Sequence, residues 1–251
     1  VPRRQLDKLD EGAAMTRSDP IPSTGKRHPI FARVFARAGP AMDAQGALDH
    51  RRALLAGLAG WVLEVGAGSG LNFAHYPPAV TELLAVEPEP YLRALAATAA
   101  QQAAIPIRVV DGTADALPSP DAGMDAAVAS LVLCSVPDQA RALAELRRVL
   151  RPGGELRFFE HIQADTSGLA RAQRLADVIW PTLVGGCHTS RDTLTAITTA
   201  GFRLISTRRF RFPDSRLPSP AAPHVLGIAR RPPEPDRRGA IGSTSSPPRQ
   251  L

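Results

Sequence analysis

The sequence predicts an α/β fold with a small-molecule site directly after its first strand. Three observations carry this reading. Residues 61–70 read WVLEVGAGSG, a short apolar run that ends in Glu64 and then Gly-x-Gly-x-Gly. Residues 81–86 (TELLAV) form a second apolar run, and it too ends in an acid, Glu87. Further short apolar runs then alternate with segments of helical character.

The elements follow in chain order. Residues 28–39 (HPIFARVFARAG) place Ile30, Phe31, Val34 and Phe35 at helical spacing. Trp61, Val62, Leu63 and Val65 suit a buried strand. Gly66, Gly68 and Gly70 suit a tight turn where backbone must come close to a ligand and a Cβ would block it. A dinucleotide fingerprint would place its third glycine at position 71, where this chain has Leu71. Glu64 would repel a pyrophosphate, whereas a carboxylate suits a ligand carrying an ammonium or a sulfonium. Glu87 stands at about the distance expected of a ribose-binding acid. A third strand at 107–110 ends at Asp111, and Asp115 in the following GTADALP can accept a hydrogen bond from an exocyclic amine. Residues 126–136 (AAVASLVLCSV) read as a fourth strand. A helix at 138–150 stops at RPGG, where Pro and Gly cannot continue it. A fifth strand, 155–159, ends at Glu160-His161. Residues 167–184 are amphipathic and broken by Pro181. Residues 189–200 read as a helix capped by Ser190, and 202–210 with 224–229 as closing antiparallel strands.

Composition fits one domain over residues 27–230, flanked by disordered tails at 1–26 and 231–251 that are rich in Pro, Ser and charge. The 251 residues are 44% apolar, enough for one α/β core. Two cysteines make no disulfide framework, so a reducing cytoplasm is expected. No apolar run has the length of a membrane span, and neither a signal peptide nor an anchor is expected. The net charge of +6 comes from arginines scattered over several segments, with no basic stripe interleaved with aromatics. Nucleic acid is therefore not an expected partner. Weak peripheral contact with an anionic membrane surface is compatible with this charge.

LEVGAGSG, the Glu87 acid, ADALPSPDAGMD and LRRVLRPGGELRFFEH together resemble a class I S-adenosylmethionine-dependent methyltransferase of the UbiE-like type, over roughly residues 60–230. LNFAHYPP, SLVLCSV, the GGC at 185–187 and PHVLGIA are similar, more narrowly, to the methyltransferase-like proteins that alkylate small thiols. The resemblance implies a Rossmann-like, seven-stranded mixed sheet with helices on both faces and the ligand at the carboxyl ends of the strands. It implies S-adenosylmethionine as cofactor. Glu64, Gly66, Ala67, Gly68 and Gly70 would hold its methionine end, Glu87 the ribose, and Pro88 the adenine side. Asp111, Ala114 and Asp115 would line the adenine, and Ser130 and Leu131 would flank the methionine. In the resembling fold the helix at 28–39 covers the cofactor pocket. Plain packing of that helix on the sheet fits its stripe equally well.

Methyl transfer moves no proton from the methyl group, so catalysis is mainly proximity and orientation. A base is needed only for a protonated acceptor. His161 is the candidate catalytic residue, because it ends strand five, where the acceptor pocket belongs. Glu160 is its neighbour, and only one of the two can face the pocket. His75-Tyr76, which follow the glycine loop, and His188 are weaker candidates. Cys134 reads as a small buried hydrophobe. Cys187-His188 has no second pair at ligand spacing, so no metal is expected. The apolar face at 167–184 points to a small, largely apolar acceptor, with a thiol favoured by the narrower resemblance. A quinol, a phenol or a phospholipid amine is the alternative, and a non-catalytic S-adenosylmethionine-binding protein is a different class of answer.

Overall fold

The computed structural model describes residues 29–214 and 219–233. The expected N-terminal tail lies outside these residues, as does the C-terminal tail beyond 233. In chain order the elements are α1 (Pro29–Met42), α2 (Leu48–Leu55), β1 (Gly60–Val65), β2 (Val80–Val86), α3 (Pro90–Ala100), β3 (Ile107–Val110), β4 (Met124–Ser130), α4 (Gln139–Val149), β5 (Leu150–His161), α5 (Ser167–Ala176), α6 (Trp180–Leu183), α7 (Thr193–Thr199), β6 (Arg203–Arg211) and β7 (Pro223–Arg230).

Seven strands form one sheet in the order β3-β2-β1-β4-β5-β7-β6. β1 to β5 pair in parallel, and β7 runs antiparallel between β5 and β6. This is the mixed, seven-stranded Rossmann-like sheet that the resemblance implies. Alternation along each strand splits the core in two. Leu63, Val65, Leu84, Val86, Ala127 and Ala129 pack on one face with Leu143 and Leu146 of α4. Val62, Leu83, Ala85, Ala126 and Val128 pack on the other with Leu54 and Leu55 of α2. Strand order reverses at β1, whose two neighbours β2 and β4 carry the chain away in opposite directions. That switch point is where an open α/β sheet leaves a crevice at its carboxyl edge.

Three local expectations are corrected. The fourth strand stops at Ser130 rather than running to 136, because Leu131 turns to a φ of 59° and the next amides bond to a side chain instead of a neighbouring strand. The late helix is capped by Asp192, whose carboxylate accepts from the Thr195 amide, and not by Ser190. The amides and hydroxyls of Thr189 and Ser190 are instead bound by Asp177. Pro181 does not interrupt a helix but sits in the first turn of α6, where its missing N–H costs nothing.

The start of the expected C-terminal tail also belongs to the domain. The Arg231 amide donates to the Gly154 carbonyl, and its guanidinium reaches the carbonyls of Arg147 and Leu150. The apolar residues of 167–184 do not all turn inward. Leu175, Val178, Ile179 and Leu183 are largely exposed, as are Ile30 and Val34 on α1.

Candidate functional site

The glycine loop after β1 takes its shape from backbone that only glycine adopts easily. Gly66, Gly68 and Gly70 all have positive φ, and a Cβ on Gly66 would run into Val132. A Cβ on Gly68 would meet only Phe35 of α1, at 3.6 Å, so this glycine opens outward under the helix. The loop forms one wall of a shallow, solvent-open cleft. Glu64, Gly66, Ala67, Gly68, Ser130 and Leu131 line it, together with Phe35, Arg51, Ser69, Leu71 and Asn72. α1 therefore lies over the loop. Gly70 stands behind it, donating its amide to the Ala67 carbonyl.

Glu87 adjoins this cleft through the loop. Its carboxylate accepts from the Gly68 amide at 2.8 Å and from the Glu89 amide at 2.9 Å. Burial raises its pKa, and the two amides counter the rise. The other expected residues spread along the loops after β2 and β3. The Pro88 carbonyl and the Asp111 carboxylate both bind Arg93. Ala114 packs against the core, and Asp115 is exposed near Arg141. The structure thus gathers six of the expected residues into one cleft, ties Glu87 to its rim, and leaves Pro88, Asp111, Ala114 and Asp115 outside it.

Glu64 is fully buried, and both its oxygens are taken. Asn72 donates to one at 2.6 Å and the Tyr76 hydroxyl to the other at 2.8 Å. Arg51 donates to the Asn72 amide oxygen and pairs with Asp43. Burial lifts the Glu64 pKa to about 7 against those two donations and the Arg51 charge. The native state therefore holds a proton that the unfolded chain, at 4.5, has lost. Stability from this group is full below pH 4.5 and is lost as pH rises through about 7. Glu64→Gln, which cannot ionise, is expected to flatten that fall. Urea unfolding of both proteins at pH 5 and pH 8 measures it, and a pH-independent difference between them would show that Glu64 titrates normally. The sequence reading missed the part that Arg51 and Asn72 play here, and it marked Tyr76 only beside His75 as a weaker candidate base. Asn72 and Tyr76 lie in LNFAHYPP, whose only local signal is a polar pair among apolar residues.

At the carboxyl end of β5, Glu160 and His161 point to opposite sides. Glu160 is wholly buried and accepts from the amides of Val132, Leu133 and Cys134. Burial raises its pKa to about 7 despite these donors. His161 remains partly exposed. Its Nδ1 lies 3.5 Å from Cys134 Sγ and 3.6 Å from Cys187 Sγ, and the two sulfurs are 3.6 Å apart. The Cys134 thiol and His161 pull the Cys187 thiol below its usual range, and sharing with Cys187 pushes Cys134 up. The buried His224 ring packs against His161, 4.3 Å between centroids, and burial with the His161 charge drives its pKa down to about 3. Cys134 is buried as expected, yet it is also part of this cluster. His188 turns away, bonding the Gly186 carbonyl through Nδ1.

Residues 63–158 match the methyltransferase domain family. The chain is 34% identical over 172 residues to thiol S-methyltransferase TMT1A of Homo sapiens, covering 67% of this chain and 69% of that protein. It is 35% identical over the same length and shares to thiol S-methyltransferase TMT1B of Homo sapiens. The solved S-adenosylmethionine-dependent methyltransferase of Mesorhizobium loti superposes with a TM-score of 0.57 at 22% identity, over 76% of this chain and all of that one. That likeness is one of fold.

Proposed function

Because the chain belongs to the class I S-adenosylmethionine-dependent methyltransferases, we propose that it transfers a methyl group to the sulfur of a small, largely apolar thiol. One observation carries the choice of acceptor: both human relatives matched over two thirds of the chain are named for methylating thiols. The site supports it. The carboxylate at the end of β5 is turned into the protein, and the His161 ring turns the other way, beside the Cys134 and Cys187 thiols. A thiol, with a pKa near ~8.5, needs only modest help to ionise.

The cleft fits the cofactor on this structure's own terms. Ser130 Oγ is buried without a partner at its wall, and the Cα of Gly68 is open towards it. In this reading Glu87 takes the two ribose hydroxyls, and Pro88, Asp111, Ala114 and Asp115 lie along the adenine. Gly66, Ala67 and Gly68 follow the methionine end, with Gly70 shaping the loop and Ser130 and Leu131 at its flank. S-adenosylmethionine, when bound, supplies a methyl group on a positive sulfur as the electrophile. The protein's part is to align the acceptor sulfur with that methyl, exclude water, and keep the acceptor as thiolate through His161.

Methyl transfer from labelled S-adenosylmethionine tests this, offering alkyl and aryl thiols beside quinols, phenols and lipid amines. Transfer to thiols is expected. His161→Ala is expected to slow it by roughly 10²-fold while cofactor affinity holds. Transfer to quinols or lipid amines but not to thiols would overturn the choice of acceptor.

A further inference from the structure

Cys134, His161 and Cys187 come from three separate segments, and their ligand atoms form a triangle with sides of 3.5, 3.6 and 3.6 Å. A triangle of that size has its centre about 2.1 Å from each corner, slightly less than a zinc–sulfur bond of about 2.3 Å. An ion at bonding distance therefore sits just above the plane of the three atoms. Tetrahedral zinc with bonds of about 2.3 Å to sulfur and about 2.05 Å to nitrogen sets sulfurs about 3.8 Å apart and sulfur and nitrogen about 3.6 Å apart. The observed sides agree with these to about 0.2 Å. Among the described residues, this is the group of His, Cys, Asp and Glu whose ligand atoms converge in this way.

The surroundings hold the triangle in place. The Cys134 amide donates to the buried Glu160, and its carbonyl accepts from His188, the residue after Cys187. That bond fixes the two sulfur-bearing segments side by side. Gly186, one residue before Cys187, has φ of 87°, and a Cβ there would press on the Ser135 carbonyl at 2.9 Å. The loop therefore approaches the Cys134 turn as closely as it does because residue 186 lacks a side chain. Both sulfurs are buried and His161 is only partly so, so the triad meets the solvent-facing side of the domain at the imidazole.

We propose that Cys134, His161 and Cys187 bind one Zn²⁺ through three protein ligands, leaving a fourth position for the acceptor thiol. Three ligands and an open vertex is the pattern of catalytic rather than structural zinc. Cys and imidazole donors suit this borderline-soft ion over Mg²⁺ or Ca²⁺. The open position rests on the thiol reading above; the three-ligand site does not. On binding, the acceptor thiol releases its proton to solvent and stays as a metal-held thiolate, so His161 acts by ligation instead of by taking that proton. The thiolate's electron pair forms the new sulfur–carbon bond as the methyl–sulfonium bond breaks. S-adenosylhomocysteine leaves as a neutral thioether. The methylated product is a neutral thioether as well, a weaker donor to zinc, and dissociates.

The full chain, purified without chelator and then stripped, is titrated with Zn²⁺ and separately with Co²⁺. Bound metal is measured by mass spectrometry, and cobalt coordination by its visible absorption. One equivalent is expected, with tetrahedral thiolate–cobalt bands. Cys187→Ser and His161→Ala should each lose the equivalent or weaken it at least tenfold, while the glycine-loop cleft keeps its affinity for S-adenosylhomocysteine. That retained affinity shows that the variants are folded, and the two substitutions lie in different segments, so the test survives failure of either one. A folded protein that binds no stoichiometric metal overturns the site, and so does metal retained in both variants. Ethanethiol added to the cobalt protein should shift the visible bands. Unchanged bands overturn the open position and leave the three-ligand site standing. Metal binding with no thiol methylation breaks the acceptor reading alone.

Discussion

Replacing Glu160 with alanine is expected to lower the unfolding free energy by about 3–5 kcal/mol, the largest stability loss in this site. The carboxylate is wholly buried and receives three backbone amides, from Val132 and Leu133 at 2.9 Å and from Cys134 at 3.2 Å. No strand partner is available to these amides, since β4 has already ended. Each buried donor left without a partner costs about 1–3 kcal/mol. Glu160→Gln restores one acceptor but points an N–H₂ group at amides that only donate, so it is expected to recover little. Urea unfolding gives the result directly. A loss below about 1 kcal/mol would show that the turn after β4 holds its own shape. If the turn loosens as expected, Leu131 shifts with it, and cofactor affinity falls alongside stability.

Replacing Glu87 with alanine is expected to weaken cofactor binding by roughly 10²–10³-fold with a smaller effect on folding. Two kinds of interaction disappear together. The side chain holds the Gly68 amide, which fixes the middle of the glycine loop against the end of β2. In the proposed complex it also accepts from both ribose hydroxyls. Hydrogen bonds to a charged group contribute about 1.5–3 kcal/mol each, and losing two at the lower end of that range, about 3–4 kcal/mol in all, gives the stated loss. Calorimetric titration with S-adenosylhomocysteine measures the change. Glu87→Gln keeps the Gly68 contact and is expected to lose less. Unchanged affinity in the alanine variant would place the ribose elsewhere.

The sheet was legible because its strands are buried on both faces and announce themselves as apolar runs. Those at 61–65, 81–86 and 107–110 match β1 to β3 to within a residue. The glycine loop was legible because positive φ restricts the residue type. The fourth strand was overread for the same physical reason: LVLCSV is apolar because it is buried, and the amides of Val132 and Leu133 are satisfied by Glu160, 28 and 27 residues away in sequence. Burial alone does not distinguish a strand from a turn held by a side chain. The Cys134–His161–Cys187 triad was invisible because no local spacing encodes it. It arises where the turn after β4, the end of β5 and the loop after α6 converge. Arg51 carried no signal among many arginines, although its guanidinium is buried against Asn72.

The helix over the cleft has a kinetic consequence. α1 buries only Ala32 and Gly39, touches the domain through Gly39 on Leu71, Phe35 above Gly68, Phe31 against Gly185 and Arg33 over the Tyr91 ring of α3, and joins α2 across Gly46 at a φ of 108°. An element with so few buried contacts opens at a small fraction of the free energy needed to unfold the sheet. Ligand exchange at the glycine loop is then expected to need only the opening of this one hinged helix, with the sheet beneath it left intact.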